Sequence, residues 1–403
     1  MIRFFSLAPC SLKKTPMADI RCSIIGVGKT DWVEDWRIVR EGQPRYDEYG
    51  YAAEALQYAL RDAGLQRHDI DGLIVGQSTA YERAAEVLGM NPRWGDQADA
   101  PTALLKAVAA IESGMAETVA LVYGNNQRSG KIQYGGPQPM GGDLFLAYVY
   151  HASWGLTSQG ALYALTANAY MHASGMLEAD LGQVAVSQRQ WGALNPEAVL
   201  RKPLDIEGYL ASPYICEPLR LYDYCMVNDG GVALIVTSAD RAAGLAQPAV
   251  HVTGFGRHDH NEDATSLAPR LSGFYHDAQR IAGEASFAMA GVSHNDIDVF
   301  SVYDSFSMHV VLALEGYGYC RAGEAARFLT EQGIGPGGQL PTNTSGGHLS
   351  DSYMQGWGHY VECVRQLRGQ AGARQIAGAR HAHYTSDIAG KAVSIVMAAE
   401  EKR

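Results

Sequence analysis

Two stretches of the chain repeat one another, and this duplication restricts the fold more than any other feature. Arg21-Cys-Ser-Ile-Ile-Gly-Val-Gly28 reads as a buried strand closing on glycine, and Val250-His-Val-Thr-Gly-Phe-Gly256 repeats the pattern 228 positions on. After each comes an Ala-rich helical pattern and a second strand, in Ala63-Gly-Leu-Gln-Arg-His-Asp-Ile-Asp-Gly-Leu-Ile-Val75 and Ala290-Gly-Val-Ser-His-Asn-Asp-Ile-Asp-Val-Phe-Ser-Val302, here 227 apart. Gly64 and Gly291 stand where a helix would end in a left-handed cap, and Asp69-Ile-Asp71 and Asp296-Ile-Asp298 each precede an apolar strand. A chain that writes strand, helix, strand twice over is expected to fold as two similar α/β halves with covered sheets.

Each half then runs through another helix and strand. The first offers 102–114 and 118–124; the second offers 351–369, 380–384 and 391–397. Between Asn125 and Leu221 the pattern loosens into Gly, Pro and aromatic residues around two helical stretches, 158–174 and 177–193. Insertions of this length commonly cover a ligand. Residues 221–238 lead back to the first sheet. The expected organisation is a flexible extension over 1–19, an N-terminal half over 20–124 plus 222–245, an inserted loop domain over 125–221, and a C-terminal half over 246–403. The first sixteen residues read as loose chain, or as translation from a start upstream of Met17.

Composition narrows the function. With 403 residues, 47% hydrophobic and 19% charged, the chain can bury a large core and is not a disordered or disulfide-stapled scaffold. Its 32 basic against 43 acidic residues give a formal charge of −11, the wrong sign for a nucleic-acid surface. An anionic ligand therefore needs a local basic pocket. Six cysteines lie scattered without a CxxC pair, which suggests neither a disulfide framework nor a zinc ribbon and fits a reducing cytoplasm. No run reaches the 18 apolar residues of a spanning helix, so a soluble chain is expected.

Three segments give the duplicated halves a family. Asp223-Tyr-Cys-Met-Val-Asn-Asp-Gly-Gly231 precedes a strand, Asn343-Thr-Ser-Gly-Gly-His-Leu-Ser350 carries a Gly-Gly turn, and Glu362-Cys-Val-Arg-Gln-Leu-Arg-Gly369 follows it. From about Ile20 to the C-terminus the chain resembles the thiolase superfamily, and within it the sterol-carrier-protein or lipid-transfer branch. The resemblance implies an α/β fold in which duplicated βαβ halves form a five-layered αβαβα core with an inserted loop domain.

The groups that would carry thiolase chemistry are replaced. The branch sets its nucleophile in a Cys-x-x-x-Ser-Thr-Ala-Leu context, and the matching Gln97-Ala-Asp-Ala-Pro-Thr-Ala-Leu104 puts Gln97 at the sulfur's place. An amide cannot form a thioester with substrate, which closes the acyl-enzyme route. The family's Gly-Gly-x-x-x-x-Gly-His-Pro motif matches Gly346-Gly-His-Leu-Ser-Asp-Ser-Tyr-Met354 and puts Tyr353 at the catalytic histidine. Its Asn-Glu-Ala-Phe or His-Asp-Cys-Phe motif matches Tyr303-Asp-Ser-Phe306 and puts Tyr303 at the oxyanion hole. His383-Tyr-Thr-Ser386 takes the place of the C-terminal acid/base cysteine.

A pocket that binds a CoA thioester and stabilises its enolate, without a nucleophile, suits retro-aldol cleavage. This pattern is similar to that of the steroid side-chain-cleaving aldolases. The resemblance implies a β-hydroxyacyl-CoA substrate, a 17-hydroxysteroid acyl-CoA, split into a 17-ketosteroid and acetyl-CoA or propionyl-CoA. It further implies a homodimer joined by a small OB-fold zinc-ribbon partner into a heterotetramer, with no cofactor on this chain and any zinc on the partner. A tyrosine at a strand end is ordinarily a packing residue. Motif placement instead makes Tyr303 and Tyr353 the expected acid/base pair or enolate donors, since a phenol's ordinary pKa lies nearer an alcohol's than a carboxylate's does. Asp304, His348 and Tyr384 are candidates for orientation or proton relay, and Arg201 and Lys202 for the CoA phosphates. Two other readings stay open: a Claisen-type acyltransferase with a relocated thiol at Cys225, Cys320 or Cys363, and a non-catalytic acyl-CoA or sterol carrier.

Two more patterns invite chemistry but have plainer explanations. His258-Asp-His260 and His381-x-His383 have closely spaced donors, yet solvent-facing histidines account for them and no metal is expected. The glycines over 333–338 follow no strand and lack a Lys-Ser/Thr, so a turn is expected there.

Overall fold

The computed structural model describes residues 20–131, 154–156, 158–245, 247–259, 273–387 and 391–400. The expected extension over 1–19 and His260 lie outside them. The first half runs β1 (Cys22–Lys29), α1 (Trp32–Arg40), α2 (Glu48–Ala63), β2 (Gly72–Val75), α3 (Tyr81–Leu88), β3 (Trp94–Gln97), α4 (Ala100–Glu112) and β4 (Thr118–Asn126). The inserted block supplies α5 (Gln159–Ser174), α6 (Glu178–Leu194), α7 (Ile206–Leu210) and the hairpin β5 (Tyr214–Cys216) and β6 (Leu219–Arg220). β7 (Asp229–Ser238) and α8 (Ala239–Ala242) lead into the second half: β8 (Val250–Asp259), α9 (His276–Ala290), β9 (Val299–Val302), α10 (Ser307–Gly316), α11 (Ala325–Glu331), α12 (Gly347–Ser350), α13 (Trp357–Arg368), β10 (His381–Ser386) and β11 (Lys391–Ala399).

The duplication is visible in the sheet. Strands run β3-β2-β4-β7-β1-β8-β11-β10-β9, so β9-β10-β11-β8 repeats the order β2-β4-β7-β1. Pairing repeats too: β2 with β4 and β9 with β10 are parallel, and the other contacts within these two sets are antiparallel. Cys22, Ser23 and Ile24 of β1 pair with Val252, His251 and Val250 of β8, which joins the two half-sheets.

The repeated glycines prove to lie within their strands rather than at the ends. A Cβ on Gly26 or Gly28 would come within 2.4 or 2.3 Å of the Ala59 or Ala55 carbonyl of α2, and on Gly254 or Gly256 within 2.2 or 2.0 Å of the Ser286 or Ala282 carbonyl of α9. They are glycine because helix backbone lies directly on strand backbone there. The two Asp-Ile-Asp segments also divide their labour identically. Asp69 and Asp296 accept from the Gln66 and Ser293 amides in a single helical turn, while Asp71 accepts from Glu117 and Thr118 and Asp298 from Arg380 and His381, fixing the start of the next strand.

Period-two alternation assigns the layers. Val119, Leu121 and Tyr123 of β4, Val232, Leu234 and Val236 of β7, and Val393, Ile395 and Met397 of β11 share one core with α4 and α13. Ala120, Val122, Ala233 and Ile235 face α2 and α3 in a second core, and α9 and α10 cover the other side of the second half. The order is helix, half-sheet, helix pair, half-sheet, helix, as expected.

Two expected helix boundaries need correction. The helix expected over 351–369 starts only at Trp357, because Gln355 and Gly356 take φ of +46° and +88°. The one expected over 102–114 spans Ala100–Glu112, its start set by the Asp99 carboxylate accepting from Thr102 N–H. Helix α1, between β1 and α2, breaks the Ala-rich pattern and was not anticipated.

Candidate active site

Two turns, one from each end of the second half's sequence motifs, bring the phenols together. Tyr303 follows β9 directly, its N–H donating to the Thr385 carbonyl at 2.9 Å, and Tyr353 follows α12 with its N–H donating to Asn228 Oδ1 at 2.9 Å. Their hydroxyls are hydrogen-bonded at 2.9 Å. Both rings are buried, in a small apolar cluster with Met226 and the partly buried Trp36, Val199, Leu200 and Cys225.

Side-chain amides hold these turns. Asn343, at φ +50°, accepts from Val302 N–H at 2.7 Å and donates to Val302 O at 3.0 Å, clasping the residue before Tyr303 on both sides. Asn228 donates to Ser352 Oγ at 2.6 Å, and Asn125 donates to the Asn228 carbonyl at 2.9 Å. Asn228 and Asn343 lie in the segments that resemble the family, but their role as clamps needs the folded chain to be seen.

Beneath the phenols lies a buried acid with two histidines. Asp304 Oδ1 accepts from His348 backbone N–H at 2.8 Å and sits 3.5 Å from His348 Nδ1 and 3.3 Å from His359 Nε2. The His348 ring stands edge-on to both Tyr303 and Tyr353, centroids 4.8 and 5.0 Å away. Gly356 N–H donates to His348 Nε2 at 3.1 Å, so the ring proton resides on Nδ1, facing Asp304. Burial, with His359 and His309 nearby, pushes the His348 pKa well below its ordinary value, which keeps the ring neutral. Ligand atoms of Asp304, His348 and His359 fall within 4.8 Å of one another, a spacing that could hold an ion. A proton on Nδ1 leaves no lone pair there for a metal, so the trio suits hydrogen bonding better.

Tyr384 reaches the same region from β10. It is fully buried, its ring 5.6 Å from His359, and a Cβ on Gly356 would lie 2.4 Å from its hydroxyl and 3.1 Å from the Tyr303 ring. Glycine at 356 thus lets Tyr384 approach the back of Tyr303. Arg201 and Lys202 are exposed and immediately follow Leu200, which packs on the phenol cluster. His258 is exposed, while His383 spends both nitrogens on Tyr319 and Ser394 hydroxyls, at 2.8 and 2.7 Å, which leaves nothing for a metal. Turns occupy the 333–338 glycines.

Gln97 closes β3, donating to the Thr79 carbonyl at 2.5 Å, and Ala100 is the residue that the start of α4 turns toward Gly356. The positive end of that helix is already occupied by the Asp99 carboxylate, itself paired with Lys391. Four of the described cysteines are held toward the protonated thiol. Burial, then the Asp304 charge, pushes the Cys225 pKa up, and burial is the leading cause that raises Cys22, Cys320 and Cys363 to about 12. At pH 8 a thiol of pKa 12 is ~10⁻⁴ ionised, so native-state alkylation of these three should run ~10³-fold slower than for an ordinary cysteine. Peptide mapping after iodoacetamide treatment checks this, and labelling at the ordinary rate would contradict it.

A family model described as "Thiolase C-terminal domain-like" matches residues 261–398. The chain is 33% identical over 387 residues to a 17-hydroxy-3-oxo-4-pregnene-20-carboxyl-CoA lyase of Mycobacterium tuberculosis, covering 91% of this chain and 96% of that one. It is 32% identical to a steroid side-chain-cleaving aldolase of Thermomonospora curvata, covering 86% and 90%. Among solved structures, an Ltp2-ChsH2(DUF35) aldolase superimposes with a TM-score of 0.83 at 28% identity, covering 96% of this chain and 100% of that chain. Human mitochondrial 3-ketoacyl-CoA thiolase shares the fold, with a TM-score of 0.67 over 95% of this chain and 100% of that one at 14% identity. With a thiolase-like fold and relatives of this kind, the chain belongs to the steroid side-chain-cleaving aldolases of the thiolase superfamily.

Proposed function

We propose that this chain is a retro-aldolase that cleaves the side chain of a 17-hydroxysteroid acyl-CoA to a 17-ketosteroid and acetyl-CoA or propionyl-CoA, without an acyl-enzyme. The observation that carries the reading is the 2.9 Å contact between the Tyr303 and Tyr353 hydroxyls inside an apolar cluster. Cleavage moves one proton. The β-hydroxyl O–H breaks as its carbon–oxygen bond becomes a carbonyl, the Cα–Cβ pair moves into the thioester enolate, and a proton returns to Cα. Two hydrogen-bonded phenols can pass that proton in one chain: one accepts from the substrate hydroxyl, hands its own proton to the second, and the second delivers to Cα. No phenolate need stand alone in a pocket where burial disfavours charge. The neutral His348, fixed by Asp304 and Gly356, holds both rings at their mutual angle.

The assembly is part of the same proposal. The solved relative's title names two components, Ltp2 and ChsH2(DUF35). By that analogy and by the family resemblance, we place this chain in a homodimer bearing a small OB-fold zinc-ribbon partner, in the cytoplasm. Among the described residues no helix is long and apolar enough to cross a membrane. The test is incubation of the protein, alone and with such a partner, with a 17-hydroxysteroid acyl-CoA. Ketone and shorter acyl-CoA should form in equal amounts, and turnover should persist when Cys225, Cys320 and Cys363 are each changed to Ser. Intact substrate under both conditions would leave a carrier, and loss of turnover in the Ser variants would return the chemistry to a thiol.

A further inference from the structure

The turn that delivers Tyr353 is also held from the inserted block. Val199 and Leu200 donate their N–H groups to the Asp351 and Ser350 carbonyls at 3.0 and 2.9 Å, and the side chains of the same two residues pack on the phenol cluster. One guanidinium closes this ladder. Arg189 of α6 donates from Nε to Ser350 Oγ at 3.0 Å and from Nη1 to the Lys202 carbonyl at 3.1 Å. A single planar group thus ties the last residue of α12 to the chain that follows Leu200.

The helix is shaped for that approach. A Cβ on Gly192, three residues further along α6, would lie 2.9 Å from Ser350 Cβ and 3.0 Å from the Leu200 carbonyl, so glycine there lets the helix rest directly on the turn. Asn195, just past the end of α6, adds a second tie by donating to the Ser345 carbonyl at 3.0 Å.

Arg189 is 6% exposed, yet its partners among the described residues are a hydroxyl, a carbonyl and the Tyr222 ring 5.4 Å away, with no carboxylate. The equally buried Arg374 is paired with Glu362. A charge without a counter-ion is costly to bury, and a neutral side chain would fill the same space at less cost. What arginine alone supplies is a rigid fork whose N–H directions are fixed in one plane, which sets two acceptors at a definite separation.

We propose that Arg189 is a positioning residue for the cleavage: by fixing Ser350 against Lys202 it sets where the turn, three residues on, presents the Tyr353 hydroxyl. This inference rests on the phenol-relay reading above. Asn228 clamps the Tyr353 N–H from the other side, so the turn has one fixed point from β7's approach and one from the inserted block. The hydroxyls must meet at 2.9 Å for the relay to run, and a displacement of about 1 Å is enough to cost about 10²-fold in rate.

A crystal structure and kinetics of Arg189→Met test it, with Ser350→Ala as a milder variant that removes one of the two bonds and leaves the guanidinium in place. In Arg189→Met the Tyr303 and Tyr353 hydroxyls should move beyond hydrogen-bonding distance, kcat should fall about 10–100-fold and KM should stay within about twofold. Ser350→Ala should shift kcat the same way by a smaller factor, and it carries the same readouts if Arg189→Met does not fold. In a Tyr353→Phe background, loss of Arg189 should lower the melting temperature as before but leave kcat where Tyr353→Phe put it, because the group it positions is gone. An arginine that only stabilises the fold would leave the hydroxyls in contact, or reduce kcat by the same factor in both backgrounds, and either result overturns the proposal. Parted hydroxyls in the variant of a protein whose wild type leaves the steroid thioester intact would keep the positioning role and sink the retro-aldolase reading. Turnover indifferent to both variants would do the reverse.

Discussion

Tyr303→Phe and Tyr353→Phe should each reduce kcat about 10²–10⁴-fold, the usual scale for a positioned acid/base group. Each exchange removes one oxygen from a buried ring and alters volume little, so folding should survive. The decisive feature is non-additivity. If the hydroxyls pass one proton along the 2.9 Å contact, losing either breaks the whole relay, and the double variant should be scarcely slower than the worse single variant. Steady-state kinetics on the three variants, with circular dichroism to confirm folding, checks this. Effects that multiply would mean that the two phenols act separately.

Asn343→Ala should be nearly as damaging, but through the fold. It removes the partners of both Val302 N–H and Val302 O in a fully buried setting, and it leaves a Cβ-bearing residue without a local side-chain bond at φ +50°. Unsatisfied buried polar groups cost about 1–3 kcal/mol each and a left-handed residue about 1–2 kcal/mol more, together a large share of an ordinary stability. A melting temperature lowered by many degrees is expected, with Asn343→Asp intermediate because it keeps the acceptor for Val302 N–H. An unchanged melting temperature for the alanine variant would show that the turn before Tyr303 is held by something else.

The duplicated α/β plan was legible in the sequence because the physics that shapes it is local. Gly26, Gly28, Gly254 and Gly256 recur because helix backbone rests on those strands, and Asp69, Asp71, Asp296 and Asp298 because the same turn and strand start must be capped twice. The phenol pair was legible only through motif positions, for nothing in the spacing of Tyr303 and Tyr353 states that their hydroxyls touch. The rest depends on contacts remote in sequence. His359 gave no local signal, since its link to Asp304 requires α13 to pack over the end of β9. Nor does the order of residues show that Gln97 ends a strand while Ala100, at the start of α4, takes the contact with Gly356. The helix expected over 351–369 loses its first six residues because two positive φ values, at Gln355 and Gly356, make a bend just after Tyr353.

The central claim is that carbon–carbon cleavage here proceeds by proton transfer between phenols with no bond to the protein. Single-turnover quenching of enzyme with excess over a 17-hydroxysteroid acyl-CoA, followed by intact-protein mass spectrometry, addresses it most directly. Ketone and shorter acyl-CoA should appear together while the protein mass stays that of the unmodified chain at every time point. A transient mass increase equal to an acyl group, rising and falling with turnover, would contradict the account.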